Sequence, residues 1–164
     1  MTPLDPGRRP RIAVDLSPLA SGGSLARWME PALAALEHQG GLEWVPIGGR
    51  SSDGRRVHLL RGAERRRVAD CDGFHTFTSG FPLRLPRHLP LVQTIHEVPW
   101  RHGVREGSSA RRRAWAALGR RRAAHVLCPT AHVRQDLLAL RADASGPPIT
   151  AIPWGIDPRF FARP

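Results

Sequence analysis

Apolar residues in this chain come in short runs that alternate with longer amphipathic stretches. Arg11-Ile-Ala-Val-Asp-Leu16, Leu42–Ile47, Gly73–Thr78, Leu91–His96, His125–Cys128 and 149–153 read as strands of four to six residues. A further short strand is a candidate over Val57–Leu60. Between them, Leu25, Trp28, Met29, Ala32, Leu33 and Leu36 recur at helical spacing, with Ser24 as the cap and Gly40-Gly41 as the stop. The pattern also predicts a short basic helix over 61–69. A helix over 110–122 is capped by Ser108 or Ser109, and one over 131–141 by Thr130. Residues 17–23, 48–56, 79–90 and 97–107 are rich in Gly, Ser and Pro and read as loops. Strands alternating with helices imply a parallel sheet with right-handed crossovers. The expectation is an α/β, Rossmann-like sheet with helices on both faces. A flexible lead spans 1–10, one domain 11–153, and a turn-rich connector 154–164, where Gly155, Pro158 and Pro164 break regular structure.

At 164 residues the chain suits one domain that buries roughly 70% of its unfolded surface. No run of eighteen apolar residues exists, which leaves no spanning helix, and the N-terminus lacks the apolar core of a secretory signal. Cys71 and Cys128 show no CxxC spacing and read as free thiols in a reducing, cytoplasmic compartment. Net charge is +11, and all 25 basic residues are arginine. That bias looks like coding composition as much as selection for a partner. Clusters at Arg65–Arg67, Arg111–Arg113 and Arg120–Arg122 nevertheless concentrate positive potential. A solvated basic face and an anionic membrane surface both account for them. In helix 110–122, Trp115 and Leu118 lie on one side and Arg113 and Arg120 roughly opposite, a packed helix with a basic outer face. A nucleic-acid partner fits poorly, because no aromatic or base-reading groups are interleaved with the arginines.

Ligands of such sheets bind outside the carboxyl ends of the strands, which selects four places. Ser21-Gly22-Gly23-Ser24 follows the first strand and opens a helix, where two glycines let a backbone approach an anion. A bland tight turn explains the same residues. His96 ends a strand ahead of Glu97, and an imidazole there would hydrogen-bond a sugar hydroxyl or polarise a reacting group, though a lone histidine is more often a structural hydrogen-bonder. His75 has the same geometry on an earlier strand. Thr130 opens a helix directly after a strand, as an anion site or as a plain cap. Asp70-Cys71-Asp72 has the letters of a DxD metal–diphosphate motif but precedes a strand instead of following one. No metal ligand set is assigned: the eight histidines show no ligand spacing with the cysteines. No nucleophile elbow or phosphate-binding loop is present.

Several of these pieces stand in a familiar order. The 11–16 strand, Ser21-Gly22-Gly23, Val92-Gln-Thr-Ile-His96-Glu, Val126-Leu-Cys-Pro-Thr130, Asp136-Leu and Ile152-Pro-Trp-Gly155-Ile-Asp157-Pro-Arg-Phe160 together resemble the N-terminal domain of retaining GT-B glycosyltransferases of the family 4, or group 1, type. In that family the N-terminal domain receives the acceptor and the C-terminal domain grips the nucleotide sugar, without a metal. The resemblance implies Gly22 and Gly23 near the donor diphosphate, His96 at the reaction centre and Thr130 where the family usually has serine, and His75 and Glu97 join them as candidate cleft residues. It implies Gly155 and Asp157 in the hinge. Departures are Glu97 for the usual Asp, Thr130-Ala131 for Ser-Glu, and Trp154 for Asn. The C-terminal basic pair, the paired glutamates seven residues apart and the returning C-terminal helix have no counterpart here.

The sequence therefore points to the acceptor-binding half of a split or truncated, nucleotide-sugar-dependent retaining glycosyltransferase. It would need a separate donor-binding partner, take a sugar or lipid-linked acceptor, use no cofactor and be inactive alone. Its setting would be cytoplasmic, with peripheral attachment to the inner face of the membrane held open. The alternative is a non-catalytic carbohydrate- or lipid-binding remnant of the same fold.

Overall fold

A computed structural model describes residues 7–21, 24–48, 60, 62–80, 82, 84–103, 110–140 and 146–155. Among these residues, six strands form one sheet: β1 (Arg11–Asp15), β2 (Glu43–Ile47), β3 (Gly73–Thr76), β4 (Leu91–Thr94), β5 (His125–Cys128) and β6 (Ile149–Ala151). Their order is β2-β1-β3-β4-β5-β6, and every neighbouring pair is parallel. Pro46 is tolerated because β2 is an edge strand, with no outer neighbour among the described strands.

Four helices follow the expected segments: α1 (Ser24–Gln39), α2 (Gly62–Ala69), α3 (Ala110–Arg122) and α4 (Ala131–Ala139). They cover both faces. On one face Ala13, Val45, Phe74 and Leu91 pack with Val68 of α2 and with Leu60, Leu85 and Leu89. Toward β5 and β6 the same layer continues through Val126, Cys128 and Ile149 to Leu137 of α4. On the other face Val14 and Phe77 pack under Met29 of α1.

Several edges differ from expectation, each for a local reason. The Ser17–Ser21 segment is a 3-10 turn instead of open loop. Its first amide donates to Asp15 Oδ1 at 2.9 Å, and the Leu19 amide donates to the Leu16 carbonyl at 3.0 Å. Pro99–His102 is a second such turn, closed by Gly103 at φ 72°, a left-handed conformation that suits glycine. The expected strands 91–96 and 149–153 shorten by two residues each. One further bond extends each ladder, Ile95 N to Leu127 O and Ile152 N to Cys128 O, and Pro153 then has no N–H to offer. Residues 57–59, Ser108 and Ser109 lie outside the described residues, and Leu60 is buried without strand pairing. Within the expected N-terminal lead, Arg8 pairs with Asp72, and the Pro10 carbonyl accepts from the Glu43 amide.

The face of α3 is a correction. Among its described side chains, those turned inward are the small Ala116 and Gly119, with Ala123 just past its end, so the helix lies close over β4; the Trp115 side chain lies outside those described. Leu118, expected on the packed side, is 49% exposed. Arg120, expected outside, is half-buried, and Arg122 donates to the Pro86 and Leu89 carbonyls at 2.7 and 2.8 Å. Long arginine stems cover apolar surface while their heads find carbonyls, which helical periodicity alone does not register.

Candidate functional site

In this strand order the chain reverses direction of growth between β1 and β3, and the crevice at their carboxyl ends is where open α/β sheets take ligands. β1 closes there on Asp15, a buried carboxylate. Its Oδ2 accepts from Thr76 Oγ1 at 3.2 Å, at the end of β3, while Oδ1 holds the Ser17 amide. Neither Asp15 nor Thr76 stood out in the sequence, although an acid closing an otherwise apolar strand is itself a signal. Gly22 and Gly23, and Asp157 of the connector, lie outside the described residues.

His75 and His96 come together. His75, on β3, has its Nε2 2.9 Å from Thr94 Oγ1 on β4, and its ring lies 4.3 Å from that of Phe77. Burial, reinforced by the neighbouring His96, lowers its pKa from 6.5 to about 4, so it is neutral at physiological pH. Just past β4, His96 Nε2 lies 3.0 Å from the Phe77 carbonyl. A carbonyl only accepts, so this nitrogen carries the proton, and the neutral ring holds its lone pair on Nδ1. Burial pushes the His96 pKa down as well, and the bond to Phe77 opposes that shift without overcoming it. Edge-on to His96, with ring centroids 4.8 Å apart, stands Trp154.

His75, Phe77, Thr94 and Trp154 line a groove of about 690 Å³, with His96 against Trp154 but outside the lining. Its floor is the sheet face that α1 leaves open, with His75, Val92, Thr94 and Leu127, and its rims are Leu36 of α1 and Trp154-Gly155. The wall is mainly apolar, with the side chains of His75, Thr94 and Gln39 as polar points. Such a cleft suits a ligand with an apolar body and few hydrogen-bonding groups.

The other expected residues fall elsewhere. Gly155 borders the groove, in keeping with its position in the connector. Glu97, next to His96 in sequence, is exposed and lines a different pocket with Pro99, His102, His132 and Asp136. Thr130 caps α4, its hydroxyl accepting from the Val133 amide at 3.1 Å. Asp72 is occupied structurally by the Arg11 amide and by Arg8, and these contacts, the amide first, hold its carboxyl below the usual range. Cys71 and Cys128 are buried free thiols with raised pKa values, burial being the main cause. The constellation of His102, His132 and Asp136 was invisible in sequence, because only the fold brings the segment after β4 against α4.

A family model described as Glycosyltransferase Family 4 matches residues 26–160. No curated protein and no solved structure matches the chain.

Proposed function

The chain belongs to glycosyltransferase family 4, and from that premise we propose that it forms the acceptor-binding half of a nucleotide-sugar-dependent, retaining transferase. A C-terminal GT-B domain, on the same polypeptide or a separate one, grips the donor. The observation that carries this reading is the convergence of His75, His96 and Trp154 at the carboxyl ends of β3 and β4, beside an open groove.

In the proposed reaction the bond from the anomeric carbon to the diphosphate oxygen breaks. A bond to the acceptor oxygen forms on the same face of the sugar, and the acceptor proton leaves with the diphosphate. His96 contacts the donor sugar. Its Nε2–H is given to the Phe77 carbonyl, so in the neutral ring Nδ1 is an acceptor, and the Phe77 carbonyl and Trp154 limit the ring's rotation. Charge developing on the leaving diphosphate is met mainly by the partner domain, with the segment at Gly22-Gly23 alongside it. The chemistry as drawn calls for no metal and no cofactor. The groove receives the apolar part of a sugar-bearing or lipid-linked acceptor.

The test is transfer by the chain reconstituted with a family 4 donor domain. His96→Ala is expected to lower kcat by roughly 100-fold or more while circular dichroism stays unchanged. Full activity removes His96 from the reaction centre. The apolar character of the groove also supports a second reading, a carbohydrate- or lipid-binding domain without catalysis. It predicts saturable binding of a lipid-linked sugar with no turnover under any donor domain.

A further inference from the structure

Away from the groove, the segment after β4 meets α4. His102 ends the turn Pro99–His102, while His132 and Asp136 stand one helical turn apart on α4. His102 Nε2 is 2.6 Å from Asp136 Oδ2, and His132 Nε2 is 3.7 Å from the same oxygen. The potential donor atoms of all three lie within 4.8 Å of one another, and the two imidazoles stack with centroids 5.4 Å apart. Arg101 Nε donates to the second carboxylate oxygen, Oδ1, at 2.8 Å. In front of the cluster lies a pocket of about 360 Å³, with Glu97 in its wall.

We propose that His102 Nε2, His132 Nε2 and Asp136 Oδ2 form a binding site for a divalent transition-metal ion of the zinc type, which fastens the segment following His96 to α4. Charge balance alone does not explain the arrangement. Arg101 already pairs with Asp136 through Oδ1, yet two imidazole nitrogens also converge on Oδ2. Two neutral imidazoles and a carboxylate oxygen are instead a common zinc donor set. Zinc holds such donors at about 2.0–2.2 Å, which places neighbouring donors of a tetrahedral ion roughly 3.4 Å apart. The 3.7 Å separation is close to that already. The 2.6 Å one is a hydrogen bond that the ion would replace, the His102 proton moving from Nε2 to Nδ1.

The movement required is small and falls on side chains free to make it. His102 and His132 are 49% and 71% exposed, whereas the Asp136 side chain is only 9% exposed and is held by Arg101. Arg101 thus plays the part of an outer partner that orients a ligating carboxylate and leaves one oxygen to coordinate. The fourth position faces the pocket, open to water or to Glu97. This site is separate from the groove, and its role is mechanical: a cross-link between the stretch that follows His96 and the helix behind it.

The test is zinc titrated into the untagged full chain in competition with a chromophoric chelator, with thermal unfolding followed in parallel. One ion per chain and a higher unfolding midpoint with zinc are expected. His132→Ala, at the most exposed ligand, should weaken binding by at least the roughly 10- to 100-fold that losing an outer partner costs. It should also abolish the thermal shift. Asp136→Asn should weaken binding comparably, and His88→Ala, at an exposed histidine elsewhere, should not. Absence of binding, or a His132→Ala chain that binds zinc as the parent does, overturns the site.

Discussion

At the scale of single residues, the sheet's carboxyl edge is built around imidazoles kept neutral. His75 is the clearest case, with a pKa of about 4 against an ordinary 6.5. An unfolded chain takes up a proton on this residue below about pH 6.5, and the folded chain does so only near pH 4. The unfolded state therefore binds more protons across that window, and stability falls as the pH drops through it. At about 1.4 kcal/mol per pKa unit the loss between pH 7 and pH 4.5 is about 2–3 kcal/mol. His96 adds to the effect in the same direction. Urea unfolding at the two pH values should show the drop, and His75→Gln, which keeps a donor toward Thr94, should flatten it. An equal drop in the variant would assign the effect to other groups. The same burial leaves Cys71 and Cys128 as weakly reactive thiols, because the thiolate is the disfavoured form in each case.

At the scale of elements, α3 shows how close approach outweighs propensity. Gly119 sits inside a helix, where alanine would ordinarily be favoured by about 1 kcal/mol. A Cβ placed on it would lie 2.6 Å from Gln93 Nε2 and 2.9 Å from the Ser79 carbonyl. Gln93 could swing aside only by giving up its bonds to the Ser79 and Gly80 carbonyls at 3.2 and 3.0 Å, and the Ser79 backbone cannot yield cheaply. Overpacking of this kind costs roughly 1–3 kcal/mol. Gly119→Ala is accordingly expected to destabilise the protein, read as a lower urea midpoint with unchanged slope. A rise in midpoint would show that α3 stands far enough from β4 to admit a methyl group.

At the scale of the whole molecule, the parallel order β2-β1-β3-β4-β5-β6 gathers every strand's carboxyl end on one side, and the groove along the sheet face reaches that side at Thr94, Cys128 and Trp154. No helix among the described residues is long and apolar enough to cross a membrane. The surplus of positive charge, the exposed Arg65–Arg67 of α2 and the exposed Leu118 on arginine-rich α3 are what docking on anionic lipid would use, the reading held open beside a solvated basic face. Sedimentation with phosphatidylcholine vesicles should then require added phosphatidylserine. It should also fade as salt shortens the screening length from about 8 Å at 0.15 M to about 3 Å at 1 M. Leu118→Glu should weaken it further. Binding that ignores both lipid charge and salt would rule this mode out.

Periodicity by itself determined much of this protein. Strand and helix repeats are local, so the alternation of six strands with four helices, the parallel class and the span of α3 were all legible in the order of residues. So was the Thr130 cap, since a threonine before a helix has one nearby amide to satisfy. Motif order in the sequence also indicated the family that the match over 26–160 establishes. What local pattern does not carry is the pairing of distant residues. That His75 meets Thr94 and His96 meets the Phe77 carbonyl follows from which strands are neighbours. That Glu97 parts from His96 follows from the backbone having already left β4 before both residues, so that no strand alternation fixes where they point. The inward turn of Arg122 depends on carbonyls 33 and 36 residues away, and the His102–His132–Asp136 cluster on α4 meeting a turn that follows another strand. Only the tertiary structure decides these, because each joins groups that the chain's own geometry keeps apart until the sheet has formed.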